Sequence, residues 1–329
     1  MEVVSAPALS IRRSKDVPAL VAAARDGDHR AVARLISLIE NDDPTLREVA
    51  AALAPYTGNA QVIGMTGAPG VGKSTTTNEV VRVLRAAGKR VGVLAVDPSS
   101  PFTGGAILGD RVRMQDHATD SGVYIRSMSS RGHLGGLAAA TPQAVRVLDG
   151  AGCDVVLVET VGVGQAEVEV ASLADTVMVL LAPGMGDAIQ AVKAGILEVA
   201  DIFVVNKADR DGADATYTDI QGMIALGDRA AGQWRPQVVK ASAVRGTGID
   251  DVMTAIAKHT TWLAEHDQLR VRRQARAAAE IEAIALGVLR GRIGTLRHGE
   301  ALRSLAARVA GSELDPYAAA DEVLADLEQ

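Results

Sequence analysis

The chain has 329 residues, 48% of them hydrophobic, with 34 basic and 40 acidic side chains and a net charge of −6. This composition excludes a strongly basic nucleic-acid-binding protein, and the single cysteine excludes an intrachain disulfide. The longest apolar runs are far below the ~20 residues that span a bilayer, and residues 1–14 lack the apolar stretch of a signal peptide. We therefore expect a cytoplasmic protein with no membrane anchor and no nucleic-acid partner.

Residues 1–60 are predicted to form a helical N-terminal extension. Between about Val17 and Ala54 the sequence is rich in alanine, and its apolar residues recur at helical spacing. The pattern is interrupted at Asp42-Asp43-Pro44, which favours a helix break there.

Residues 61–260 are predicted to form an α/β domain. Short runs of β-branched residues alternate with helical segments, which favours a mostly parallel sheet covered by helices on both faces. The predicted strands are Val62–Thr66, Arg90–Val96, Val123–Ser127, Asp154–Glu159, Thr176–Leu181, Ile202–Val205 and Gln237–Lys240. Cys153 stands just before one of these strands, so we expect it to be a buried, reduced thiol.

Residues 261–329 are predicted to be helical throughout. A basic, alanine-rich stretch is followed by two shorter amphipathic segments, and no strand pattern interrupts them. A helical region of this length cannot bury its apolar stripe alone. We favour a C-terminal dimerisation region of a homodimer, and the alternative is a layer that packs on the chain's own core.

The sequence from Gly67 to Ser74 matches the P-loop pattern of nucleotide hydrolases and lies between a predicted strand and a predicted helix. Glycines let backbone N–H groups turn towards oxyanions, and the helix N-terminus adds partial positive charge. We expect Lys73 to reach the β- and γ-phosphates and Ser74 to ligate Mg²⁺. The alternative is a glycine-rich turn that binds nothing. The predicted fold is therefore a P-loop NTPase, with nucleotide contacts at Gly67, Ala68, Pro69, Gly70, Val71, Gly72, Lys73, Ser74 and Thr75.

An Asn-Lys-x-Asp sequence, at Asn206, Lys207 and Asp209, follows an apolar strand. The carboxylate of Asp209 can accept hydrogen bonds from the N1–H and 2-amino groups of guanine, and adenine offers neither donor. We expect Asn206 to tie this loop to the P-loop, and Lys207 to cover one face of the base. The segment Ser242, Ala243 and Val244 is expected to offer backbone N–H groups to the guanine oxygen. GTP and GDP are therefore the predicted ligands, although the motif alone is also compatible with a polar loop.

Two acidic residues, Asp97 and Glu159, stand at the ends of predicted strands. Carboxylates there face the phosphate crevice, so we expect both to belong to a Mg²⁺ site with Ser74. Asp110 lies in a glycine-rich segment that we interpret as a loop ordered by nucleotide, which makes it a further candidate metal ligand. The alternatives are solvated strand ends and an inert connector.

The sequence Glu159-Thr-Val-Gly162 stands where many GTPases have Asp-x-x-Gly. Gly162 is expected to donate its N–H to the γ-phosphate. The next residue is Val163, which cannot position water, and the nearest glutamine is Gln165. We therefore predict slow intrinsic hydrolysis that a partner can modify.

Three segments, 97–114, 159–167 and 183–187, together resemble the MeaB/ArgK GTPases, which are chaperones of methylmalonyl-CoA mutase. The resemblance covers nearly the whole chain. It implies a GTPase that binds the adenosylcobalamin-dependent mutase, gates cofactor loading with GTP and protects the mutase. It also implies that the cobalamin is bound by the partner.

The same resemblance implies the regions of the site to which individual residues belong. Asp97, Asp110 and Glu159 would belong to the Mg²⁺ and switch region, and Gln190 and Lys193 would lie in a third switch.

Three other functions remain open from the residues. An ATP-dependent kinase of a transport binding protein conflicts with Asp209. A metal-insertion GTPase needs thiolate and imidazole ligands, whereas one cysteine and six scattered histidines offer no ligand spacing. An RNA-binding targeting GTPase would use the basic stretch from Arg270 to Arg276, which we interpret instead as a solvated helix face or dimer rim.

Overall fold

A parallel sheet is the centre of the first of two structural units. The computed structural model describes residues 16–97, 117, 119–129, 140–160, 166–184, 197–227, 232–297 and 300–327. The chain divides into one unit of residues 1–272 and a second of residues 273–329. The N-terminal helices thus lie in the same unit as the sheet, and the domain limits at 60 and 260 stay predictions.

Within the described residues the sheet has seven strands, and every neighbouring pair is parallel. The order across the sheet is β3-β2-β4-β1-β5-β6-β7. Central strands such as β4 are buried along their whole length, which explains their nearly continuous apolar sequence. The strands are β1 Gln61–Thr66, β2 Val91–Asp97, β3 Val123–Ser129, β4 Val155–Glu159, β5 Thr176–Leu181, β6 Ile202–Val205 and β7 Gln237–Lys240.

Helices cover both faces of this sheet. The first unit contains α1 Val17–Arg25, α2 His29–Glu40, α3 Leu46–Leu53, α4 Lys73–Ala86, α5 Thr141–Gly150, α6 Ala166–Leu173, α7 Ala213–Leu226 and α8 Ile249–Glu265. Helices α4 and α8 share one apolar cluster with the sheet, and α1, α2, α3, α5, α6 and α7 share the other. The predicted α/β class, with a parallel sheet between two helical layers, is confirmed.

The N-terminal helices form where the alanine-rich pattern predicted them. Asp28 caps α2 by accepting hydrogen bonds from the backbone N–H groups of Arg30 (2.7 Å) and Ala31 (3.4 Å). The predicted break lies between α2 and α3, where Asp43 accepts a hydrogen bond from Thr45 N–H at 3.0 Å. The apolar faces of the three helices lie in the core of the first unit.

Asp201 is the centre of a buried polar cluster at the amino-terminal edge of the sheet, and its side chain is 6% exposed. Its two carboxylate oxygens accept hydrogen bonds from the guanidinium of Arg272, both at 2.7 Å. Val177 N–H donates to the same carboxylate at 2.8 Å, and Nε2 of the buried His259 lies 3.2 Å from it. Trp234 donates its indole N–H to the Asp201 carbonyl at 2.9 Å. The interpretation of the basic stretch as a solvated face is therefore wrong for Arg272.

A long helix, α9 Gln268–Arg297, begins in the first unit and continues into the second, where α10 Glu300–Ala310 and α11 Pro316–Leu327 follow. In the second unit, Arg308 on α10 pairs with Glu322 on α11 at 3.0 Å. The helical character predicted for this region is confirmed, and the homodimer stays a prediction. None of the helices that the structure describes combines the length and apolar character that crossing a membrane requires.

Candidate nucleotide-binding site

The P-loop lies between β1 and α4, at the carboxyl edge of the sheet. Gly67 and Gly72 both have positive φ angles, +142° and +96°. A β-carbon at Gly67 would lie 2.3 Å from the carbonyl oxygen of Leu180, and one at Gly72 would lie 2.4 Å from Nδ2 of Asn206. Glycine is therefore required at both positions by conformation and by space. The loop is packed directly against β5 and against the loop that contains Asn206.

Lys73 is the first residue of α4 and is 8% exposed. Its ammonium group donates hydrogen bonds to the carbonyl oxygens of Gly67 (2.7 Å) and Ala68 (3.1 Å). The positive end of the helix dipole lies at the same place, because α4 begins at the loop. Positive charge is thus concentrated where the sequence predicts phosphate groups.

Glu159, at the end of β4, is 3% exposed and contacts α4 through two hydroxyl groups. Ser74 Oγ donates to its Oε1 at 2.5 Å, and Thr77 Oγ1 lies 3.1 Å from its Oε2. The structure therefore brings together two of the residues predicted for the metal site. A third, Asp97, ends the neighbouring strand: Ala95 is in register with Glu159, so Asp97 lies two residues further along the same edge.

The predicted guanine loop is tied to the P-loop by two side chains. Asn206 is 2% exposed and donates through Nδ2 to the Val71 carbonyl at 2.8 Å, which confirms the predicted tie. Lys207, at a φ of +57°, donates to the Gly70 carbonyl at 2.6 Å. Asn206 also accepts a hydrogen bond from Ala243 N–H at 3.1 Å. The Ala243 N–H therefore already has an acceptor. Its contact with the guanine oxygen stays a prediction, and it would require this N–H to donate to both oxygens at once.

Asp209 is held by the segment that follows β7. Ser242 Oγ donates to Asp209 Oδ1 at 2.6 Å, and the guanidinium of Arg245 lies 3.5 Å from Oδ2. The hydrogen bond from Ser242 is the main reason why the pKa of Asp209 is lowered from its ordinary value, and the nearby Arg245 charge acts in the same direction. The carboxylate is therefore ionised at neutral pH, as acceptance of two N–H donors from a base requires.

The remaining predicted positions divide into two groups. Pro69 and Thr75 lie in the P-loop and at the start of α4, and Val244 is 85% exposed beside Ser242 and Ala243. Asp110, Gly162, Gln165, Gln190 and Lys193 lie outside the described residues, so their predicted parts in switching and catalysis stay predictions.

Sequence reasoning missed three contacts at this site: the Thr77 hydroxyl on Glu159, the Ser242 hydroxyl on Asp209, and Arg245. Thr77 could have been found, because it is three residues after Ser74 and therefore on the same face of α4. Ser242 was predicted only for its backbone. Nothing in the sequence places Arg245 beside Asp209 without knowledge of the turn at Ala243–Arg245.

Comparison with known proteins agrees with this geometry. The family model for the methylmalonyl-CoA mutase-associated GTPase MeaB matches residues 32–295. The chain belongs to the MeaB family. It is therefore a GTPase, and guanine nucleotides are its ligands. The match includes the P-loop, both strand-end carboxylates and the guanine loop.

Individual proteins similar to this MeaB-family GTPase match between 81% and 96% of its chain. A protein of Pyrococcus abyssi that is named as a GTPase is 47% identical over 312 residues, covering 94% of this chain and 96% of the relative. The mouse mitochondrial methylmalonic aciduria type A homolog is 34% identical over 283 residues, covering 81% of this chain and 68% of the relative. A crystal structure of an LAO/AO transport system kinase superposes with a TM-score of 0.70 at 27% identity, covering 96% and 99% of the two chains.

Proposed function

We propose that this GTPase is a Mg²⁺-dependent chaperone of an adenosylcobalamin-dependent methylmalonyl-CoA mutase in the cytoplasm, where it gates cofactor loading and protects the mutase. The observation that carries the proposal is the match of the MeaB family model to residues 32–295, a range that contains the whole nucleotide site. The name of that family supplies the mutase as the partner. In this proposal the mutase binds the cobalamin, and this chain supplies the GTP-dependent step.

Mg²⁺ fits the residues at the mouth of the P-loop. Magnesium prefers hard oxygen ligands, usually one or two from the protein together with phosphate oxygens and water. Ser74 Oγ and the buried Glu159 carboxylate are 2.5 Å apart at the start of α4 and offer such oxygens. When bound, the ion would neutralise charge that develops on the phosphates. Ser74 and Glu159 would hold it, with Asp97 at the adjacent strand end, and Lys73 would contact the β- and γ-phosphates.

Asp209 provides a direct test of the nucleotide assignment. An amide at this position donates where the carboxylate accepts, so Asp209→Asn is expected to weaken GTP binding by about tenfold or more and to favour xanthosine triphosphate. Calorimetric titrations of the wild-type chain and of Asp209→Asn, each with GTP and with xanthosine triphosphate, measure this change of preference. An unchanged preference for GTP would refute the assignment of Asp209 to the base.

The wild-type chain and the Asp209→Asn variant also test whether the mutase is the partner. Purified methylmalonyl-CoA mutase is expected to raise GTP turnover by the wild-type chain, because Val163 replaces the water-orienting glutamine of other GTPases with a side chain that has no polar atom. With Asp209→Asn, the mutase should stimulate xanthosine triphosphate turnover and leave GTP turnover low. Lys73→Ala controls for a contaminating hydrolase. Unstimulated turnover by an active wild-type chain would refute the mutase as the partner while leaving the GTPase intact.

An ATP-dependent kinase is the second candidate, because the crystal structure that superposes with a TM-score of 0.70 bears the name of a transport system kinase. The pair of Ser242 and Asp209 argues against it, since adenine has neither the N1–H nor the 2-amino group from which this carboxylate would accept hydrogen bonds. Competition of ATP against labelled GTP separates the two functions. Equal affinities would favour the kinase.

We also propose a homodimer formed through the second unit. On α9, three side chains at helical spacing are exposed: Ile281 (69%), Ile284 (49%) and Val288 (41%). An exposed apolar stripe of this kind usually marks an interface. Sedimentation of the wild-type chain should give the mass of a dimer, and Ile284→Glu should give the monomer. A monomeric wild-type chain at micromolar concentration would refute the proposal.

A further inference from the structure

Thr77 lies one turn into α4 and is completely buried. Its hydroxyl oxygen is 3.1 Å from Oε2 of Glu159, 3.0 Å from the carbonyl oxygen of Lys73 and 3.3 Å from the sulfur of Met65. No P-loop pattern requires a hydroxyl group at this position, because the pattern ends at Ser74. The motif therefore does not explain the hydroxyl group.

A threonine hydroxyl has one proton to donate, so its three neighbours compete for it. The Lys73 carbonyl is four residues earlier in α4 and already accepts in the helix, and a thioether sulfur is a weak acceptor. Glu159 is the charged acceptor, and hydrogen bonds to a charged group are about twice as strong as neutral ones. The Thr77 hydroxyl group is therefore best oriented to donate its hydrogen bond to the Glu159 carboxylate.

This bond settles which oxygen of Glu159 faces the phosphate site. Oε2 is held by Thr77 deep in the core, and Oε1 is left to meet Ser74 at the first turn of α4. A buried carboxylate that is fixed at both oxygens cannot rotate, so Ser74 and Glu159 keep one relative geometry. A Val side chain at position 77 would keep the volume and remove the donor.

We propose that Thr77 is a positioning residue for GTP hydrolysis, which fixes the Glu159 carboxylate so that Glu159 and Ser74 present a preformed pair of oxygens to Mg²⁺. The inference rests on the proposed Mg²⁺ dependence. It goes beyond it by assigning the metal affinity partly to a hydroxyl group that touches neither nucleotide nor metal.

The test compares Thr77→Val with Thr77→Ser in the full-length protein. Steady-state GTP turnover is measured against Mg²⁺ concentration, and GTP affinity is measured separately in excess EDTA. Thr77→Val is expected to raise the Mg²⁺ concentration for half-maximal turnover by about tenfold. This factor corresponds to the lower end of the range for loss of a hydrogen bond to a charged group. Its GTP affinity in EDTA should stay within about twofold of wild type. Thr77→Ser should restore the wild-type Mg²⁺ requirement, because serine keeps the donor.

Thr216→Val is the matched control. Thr216 is also nearly buried in a helix and donates to the carbonyl oxygen four residues earlier, that of Gly212, at 3.1 Å. This substitution removes the same kind of buried hydroxyl, for which the described residues show a hydrogen bond to a backbone carbonyl rather than to a carboxylate, so its Mg²⁺ requirement should equal that of wild type. If Thr77→Val does not fold, Thr77→Cys gives the same contrast, because a thiol of similar size is a weak donor.

The outcomes separate the two proposals. A wild-type chain that hydrolyses GTP without Mg²⁺ overturns both the metal proposal and the inference about Thr77. A wild-type chain that needs Mg²⁺, together with a folded Thr77→Val variant of unchanged Mg²⁺ requirement, overturns only the inference. A shifted requirement that Thr77→Ser does not restore also overturns it, because the effect would then come from packing.

Discussion

Removal of the Asp201 carboxylate should strongly destabilise the first unit. In Asp201→Ala, the guanidinium of Arg272 loses both of its 2.7 Å hydrogen bonds, and Val177 N–H loses an acceptor at 2.8 Å. His259, which is fully buried, loses the carboxylate 3.2 Å away. Val177 N–H and His259 then stay buried without this carboxylate, whereas Arg272 keeps its 2.9 Å hydrogen bond to the Asp175 carbonyl.

The size of the effect follows from the exposure of the partners. Breaking a buried ion pair by removing one partner costs about 3 to 5 kcal/mol. The side chain of Arg272 is 33% exposed and can regain water, so the lower end applies. The expected loss is therefore about 3 kcal/mol in the free energy of unfolding, or roughly 6 to 12 °C in Tm.

Intrinsic fluorescence is a suitable assay, because both tryptophans of the chain belong to this region. The rings of Trp234 and His259 are 4.7 Å apart between centroids, and those of Trp234 and Trp262 are 5.7 Å apart. Urea unfolding followed by this signal should give the loss directly. Asp219→Ala, at an exposed position of α7, is the control with the same change in charge. Equal stability of the two variants would refute the importance of the cluster.

The pH dependence of the same pair has a defined sign. Burial raises the pKa of Asp201, but the neighbouring His259 and the hydrogen bonds from Arg272 outweigh it and leave the pKa below its ordinary value. The stabilisation is therefore present above the unfolded-state pKa of about 4 and is lost as the pH falls through the lower folded-state pKa. The difference in stability between wild type and Asp201→Ala should therefore shrink as the pH falls below about 4. A difference that grows in acid would contradict this.

Three further predictions concern single positions. Gly67→Ala should lower GTP affinity by more than about tenfold in calorimetry, because its β-carbon would lie 2.3 Å from the Leu180 carbonyl oxygen; wild-type affinity would be inconsistent with the loop geometry. Gly222→Ala, which meets nothing within 4 Å, should stabilise α7 by about 0.5 to 1 kcal/mol in urea unfolding, and a loss would indicate an unseen contact. Cys153, whose pKa is raised to about 12 by burial, should resist a thiol reagent at pH 8 and react promptly in urea; prompt reaction of the folded chain would mean that the thiol is accessible.

The sequence predicted the strands well because parallel strands buried on both faces are continuous apolar runs. Predicted and observed limits of β5, β6 and β7 are identical. The order of the strands could not be predicted, because β4 lies between β1 and β2 although it follows both in the chain. Local periodicity carries no information about which strands become neighbours.

The same limit applies to side chains. The P-loop and guanine residues were found from motifs, since each motif is a short continuous segment. The cluster around Asp201 was missed because Arg272 is 71 positions away in the chain, and His259 had been counted only among scattered histidines. The contact of Thr77 with Glu159 joins residues 82 positions apart and depends on the rotation of α4 against β4. Such pairs become visible only when the topology is known.

The two hydrogen bonds that Asn206 and Lys207 donate to the P-loop carbonyls of Val71 and Gly70 have a consequence for ligand exchange. They connect the loop that is predicted to contact the base with the loop that is predicted to contact the phosphates. A displacement of either loop is therefore expected to move the other loop, which would couple release of the base to release of the phosphates.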